Sequence, residues 1–65
     1  MNYAQVKALQ LRNNDRIIDT DGVFIVTDIK FDFRDDVIRY TATDAAGRRT
    51  SRWVDMNRLV NKLTS

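Results

Sequence analysis

From Arg16 to Val54 the chain is a succession of short segments rich in Val, Ile, Thr, Phe, Tyr and Trp. Asn13-Asn14, Asp19-Thr20-Asp21-Gly22, Arg34-Asp35-Asp36 and Asp44-Ala45-Ala46-Gly47 separate them. β-Branched and aromatic side chains suit a pleated, half-buried surface, while Asn, Asp and Gly supply the backbone angles of tight turns. The alternation therefore predicts a small antiparallel β fold. Length restricts it further: 65 residues make a single domain, residues 1–65, that hides only about 60% of its unfolded surface. With no Cys, neither disulfides nor thiolate zinc can supplement the core, so stability must come from apolar packing or a partner.

Residues Tyr3, Val6 and Leu9 recur at helical spacing behind Asn2, which can cap a first turn with Gln5 reaching back. A short helix over residues 3–10, laid across the open end of a barrel, is the expectation. Ile17 and Ile18 form a first strand, and Gly22 closes the hairpin turn that follows. In residues 23–33, Val23, Ile25, Thr27, Ile29, Phe31 and Phe33 share one parity, giving an apolar face. Phe24 and Val26 on the other parity imply cover on both sides or a bulge that exchanges the faces. Residues 37–43 and 48–54 form the next two strands. Asp55 then caps an expected helical turn through Met56, Leu59, Val60 and Leu63. The fold class is a mainly β, SH3-like barrel of four to five strands with a short N-terminal helix and a C-terminal helical turn.

The stretch Leu11-Arg12-Asn13-Asn14-Asp15-Arg16-Ile17-Ile18, followed by Asp21-Gly22 before residues 23–29, resembles the opening of SH3-like small barrels of the KOW type. The N-terminal domain of elongation factor P is one of these, and the resemblance covers about half the chain. Asn14 stands where that pattern commonly has glycine, and Asn also tolerates positive φ. The exposed lysine-bearing loop through which elongation factor P works has no counterpart. The resemblance implies the fold; such barrels host RNA, DNA and protein binding alike.

Chemistry is sparse. Without His, Cys or Glu the usual acid–base and nucleophile arrangements are missing, and Asp35-Asp36 reads as a solvated turn, so no enzyme activity is expected. Asp19-Thr20-Asp21-Gly22 begins like a calcium loop, but its glycine comes too early and no Glu closes it. No metal or cofactor is expected. Neither a signal segment nor an apolar run near ~20 residues is present, so the expected setting is cytoplasmic, without membrane contact.

Charge is distributed unevenly: +2 over residues 1–12, −4 over 13–36 and +4 over 37–65. Eight of the eleven basic residues are arginine, whose planar fork suits phosphates and carboxylates. The third hairpin concentrates them. One register pairs Arg39 with Arg52 and Thr43 with Arg48, sends Ile38, Tyr40 and Trp53 to the core, and leaves Arg39, Arg48 and Arg52 as an outward ladder. A bulge at Gly47 slips the pairing by one, so that Arg39 faces an exposed Trp53. Tyr3, Phe24 and Phe33 are likewise core or platform. The candidate binding residues are Arg39, Arg48, Arg49, Arg52 and Trp53. Nucleic acid, held by phosphate contacts, is the first expected partner, although a net charge of +2 is low for that role. An acidic protein surface is the second, with the chain acting as an interaction module or a phage-type regulator of a larger complex. A symmetric homodimer burying Phe24 and Val26 is the third. The bland reading has the aspartates of residues 13–36 neutralising these arginines across the barrel.

Overall fold

The computed structural model describes residues 2–64 and is built almost wholly of strands. They are β1 (Tyr3–Lys7), β2 (Arg16–Asp19), β3 (Gly22–Asp32), β4 (Val37–Thr43), β5 (Arg49–Asp55) and β6 (Leu59–Leu63), with one 3-10 turn at Ala8–Gln10. All pairings are antiparallel, in the order β1-β6-β2-β3-β4-β5. β1 and β5 end the sheet without pairing to each other, so it is curled but not closed.

Three expectations are corrected. Residues 3–7 form a strand and not a helix, pairing Val6 with Val60 and Tyr3 with Leu63. A helix of about eight residues is marginal in water, whereas the side of β6 away from β2 offers a full ladder of hydrogen bonds. The C-terminal helical turn is replaced by β6, inserted between β1 and β2. A strand sends Val60 and Leu63 to opposite faces: Val60 packs on the core, and Leu63 is buried on the other side. The sheet accordingly has six strands, where the sequence reading gave four to five, and it is an open sheet where that reading expected a barrel.

β3 shows how the chain bends. Phe24 and Val26 face the core while Ile25 lies exposed, the reverse of the parity read from the sequence. The register then shifts between Thr27 and Lys30, with Asp28 at φ 55°. Aspartate is one of the few side chains that tolerate this conformation, and Asn13 Oδ1 accepts the Ile29 N–H nearby at 3.3 Å. Beyond the bulge Ile29 packs on the core, but Phe31 and Phe33 remain outside, their rings stacked at 6.1 Å. Burial of Phe24 and Val26 within one chain removes the reason for a homodimer built to cover them.

Ala8, Leu11, Ile17, Phe24, Val26, Ile38, Tyr40, Ala42 and Met56 form the core, with Ile38 and Val26 fully enclosed. The turns fall where expected. Asn14 takes φ 76°, and Gly22, at φ 121°, closes the β2–β3 turn. Asp19 Oδ1 accepts the Asp21 N–H there at 2.8 Å. Among the described residues no helix is long and apolar enough to cross a membrane.

Candidate functional site

The β4–β5 hairpin is set by its loop. Asp44 N–H donates to Arg48 O at 3.0 Å, Gly47 N–H donates to Asp44 O at 3.0 Å, and Gly47 sits at φ 84°. Only three residues separate the Asp44–Arg48 pair, the hairpin form that needs a left-handed glycine at its end. Asp44 Oδ1 also accepts the N–H groups of Ala46 and Arg48, each at 2.9 Å. Those backbone donors, that of Arg48 foremost and then that of Ala46, together with the charge of Arg48, hold the Asp44 carboxyl below its ordinary pKa.

This loop selects the slipped register. Arg39 faces Trp53, Tyr40 faces Arg52 and Thr43 faces Arg49. Because facing residues share a side of the sheet, Arg39 and Trp53 point outward, whereas Arg52 joins the buried Tyr40 on the inner face. The ladder of Arg39, Arg48 and Arg52 does not form. Trp53 is 64% exposed and belongs to no core.

Each candidate arginine has a carboxylate partner. Arg39 lies 3.4 Å from Asp32 and 3.5 Å from Asp35. Arg48 lies 3.3 Å from Asp44, Arg49 3.2 Å from Asp28 and Arg52 3.0 Å from Asp19. Arg52 also stacks its guanidinium on Phe24, 4.1 Å from the ring centre, so it closes the rim of the core as well as carrying charge. Asp32 is held below its usual pKa first by the backbone N–H of Asp35, with the Arg39 guanidinium adding to the effect. The aspartates of residues 13–36 thus reach Arg39, Arg49 and Arg52, and Arg48 is tied into its own turn. Trp53 and Arg39 are brought together on the outer face beside Lys30, around a shallow hollow of about 290 Å³.

The larger concavity lies elsewhere. A groove of about 890 Å³ runs between β5 and the β1-β6-β2 side of the sheet, with Tyr3, Ile18, Val54, Leu59 and Val60 as its apolar lining and Arg58 among its charged residues. Tyr3 and Leu59 are more than half exposed there. Sequence reasoning missed Arg58 and Leu59 as site residues, and left Tyr3 between core and platform, because the groove exists only once residues 3–7 and 59–63 are strands. No local pattern announced it.

The groove borders an open backbone edge. At the far end of the hairpin Met56 N–H donates to Asp36 O at 2.9 Å, in phase with the Asp44–Arg48 bond. Ladder bonds alternate along an antiparallel pair, so Thr50, Arg52 and Val54 bond to β4. The N–H and C=O groups of Arg49, Ser51 and Trp53 consequently point to the side with no neighbouring strand. Asp55 is different, since its carbonyl accepts the Arg58 N–H at 3.1 Å. Among the described residues no group of three or more His, Cys, Asp or Glu is placed to hold a metal ion. In comparisons with known proteins, no family model, no curated protein and no solved structure matches this chain.

Proposed function

We propose that this chain is a non-enzymatic protein-interaction module that takes an extended segment of another protein onto the free edge of β5. The observation that carries the reading is the coincidence of that edge with the apolar groove. The Ser51 and Trp53 amides and carbonyls supply main-chain hydrogen bonds, and the groove receives every second side chain of the guest. This is the division of labour in strand addition, where backbone bonds give affinity and alternate pockets give specificity. Trp53, exposed beside the edge, adds the aromatic contact area typical of binding hot spots.

Nucleic acid is the weaker reading on this geometry. A polyanion would have to displace aspartates from Arg39, Arg49 and Arg52 before gaining their charge. The likeness of residues 11–29 to KOW-type SH3-like barrels supports a small β fold that hosts binding, without selecting the partner. The test separates the two classes. Single- and double-stranded oligonucleotides are titrated across a salt series, and a peptide selected from a random heptamer library is titrated under the same conditions. Peptide binding that persists in salt, weakened on the order of 30-fold by Trp53→Ala, is the expected result. Oligonucleotide binding that falls steeply with salt and drops in Arg39→Ala/Arg52→Ala would replace this reading with the nucleic-acid one.

A further inference from the structure

The charges facing the groove narrow the guest. Besides Asp19 and Arg52, which neutralise each other at 3.0 Å, the one ionised side chain among the described residues that line it is that of Arg58. Among the described residues Arg58 has no carboxylate partner. The bond from its N–H to Asp55 O fixes its backbone in the turn that follows β5, and its side chain is among those that line the groove.

Strand geometry orders the guest against these features. An antiparallel segment on β5 places its N-terminal part beside Val54 and Arg58. Its residues opposite Ser51 and Trp53 share their outward direction, so those opposite Val54 and Arg52 point into the groove. The position opposite Val54 meets Val54, Leu59 and Val60, an apolar wall. The inward position two residues earlier would lie past Asp55, where the chain turns toward β6 and Arg58 lines the groove. Resting on the strand-docking reading above, we infer that the groove selects a protein segment with an acidic residue two positions before an apolar one, the carboxylate pairing with Arg58.

A second copy of this chain fits poorly. Two β5 strands paired about Ser51 would set Arg48 of one copy opposite Val54 of the other, beside Arg58. A two-fold axis at Arg52 would oppose the two Arg52 side chains, and one at Thr50 would bring Arg48 opposite Arg52. Asp44 and Asp19 already hold Arg48 and Arg52, which makes this crowding of arginines a small cost, and an axis at Arg52 also sets Arg49 opposite Asp55. But none of the three registers brings the one carboxylate of β5, Asp55, to Arg58, so a second copy leaves that cation unmatched.

The experiment uses the whole chain. A random heptapeptide library is selected on the immobilised protein, and the tightest peptides are synthesised and titrated against the wild type, Arg58→Glu and Ser51→Pro. Circular dichroism checks that each variant is folded. Peptides N-methylated at alternate amides block main-chain pairing without touching the protein, so the test stands even where Ser51→Pro does not fold. The expected result is enrichment of an acid-x-apolar pattern and a loss of tenfold or more in Arg58→Glu, with affinity regained when lysine replaces the peptide's acid. N-methylation should abolish binding. Peptides that bind through the edge but show no acidic preference, or ignore Arg58→Glu, would overturn this inference and leave strand docking standing. An absence of binding peptides, or binding indifferent to N-methylation, would overturn strand docking itself. A mass that doubles with concentration and reverts in Ser51→Pro would assign the edge to a second copy and overturn both.

Discussion

The two edges of the sheet are built from the same kind of strand and are left in different states. On β1 the bonds from Thr64 N–H to Asn2 O and from Ala8 N–H to Arg58 O set the phase, so Tyr3, Gln5 and Lys7 face outward. The Lys7 N–H is already taken by Gln10 Oε1 at 2.9 Å, leaving two residues fully open. On β5 the open run is Arg49, Ser51 and Trp53, flanked by an exposed indole and the apolar groove. Natural sheets shield their edges by shortening them, charging them or covering them. β1 is short and partly covered; β5 carries Arg49 and Arg52, which aspartates neutralise, and Asp55 at its end. Both edges border the groove, which Tyr3 of β1 also lines; β5 differs in its longer open run and in the exposed Trp53 beside it, and on the proposed reading those are what make an unpaired strand a binding edge.

The most drastic way to break this comparison is to remove the platform both edges share. Ile38 is fully buried at the centre of β4, and Ile38→Ala should cost about 2–5 kcal/mol. A chain of this size has only about 3–10 kcal/mol in total, so urea denaturation should find the variant largely unfolded or close to it. A sharper test is a proline scan of the edges. Thr50→Pro deletes a ladder donor and should cost at least about 1–3 kcal/mol. Ser51→Pro and Gln5→Pro remove N–H groups that bond to nothing, and proline is accepted at such edge positions. Thermal melts should rank Thr50→Pro far below the other two, and only Ser51→Pro should lose peptide binding. Equal destabilisation by Thr50→Pro and Ser51→Pro would refute the assigned register.

Smaller effects test the inner side of β5. Arg52→Met keeps an apolar stem but loses the Phe24 stack and the Asp19 pair, and should cost about 1 kcal/mol by urea unfolding. The acid response probes the loop. The Asp44 carboxyl has a lowered folded pKa, so its contribution is complete above the unfolded value and fades as pH falls through the folded one. Below about pH 4 the Ala46 and Arg48 amides should lose protection, as read by NMR. Asp44→Asn should flatten that dependence.

Turn chemistry was the legible part of this fold. Asp19-Thr20-Asp21-Gly22 and Asp44-Ala45-Ala46-Gly47 marked hairpins that the structure contains, since Gly22 and Gly47 both adopt positive φ. The strands they join were readable for the same reason. The ends of the chain were not, because Tyr3, Val6 and Leu9 follow helical spacing, whereas the strand sends Tyr3 and Val6 to opposite faces and leaves Leu9 in the 3-10 turn, an outcome that pairing with β6 decides. At β3 the sequence offered a bulge but no position for it, and Asp28, a polar residue in an apolar run, was the local sign. The candidate site was half readable. The slipped register with Arg39 opposite Trp53 was one of two alternatives, and the Gly47 loop resolves it. The groove with Arg58 is assembled from β1, β2, β5 and β6, so no contiguous segment encodes it.

Amide hydrogen exchange along β5, with and without a selected peptide, tests the central claim most directly. In the free protein Ser51 and Trp53 should exchange fast while Thr50, Arg52 and Val54 exchange slowly, and the peptide should slow Ser51 and Trp53 selectively. Protection of Ser51 and Trp53 in the free protein, or no change when the peptide binds, would contradict the claim that β5 is an open edge awaiting a strand.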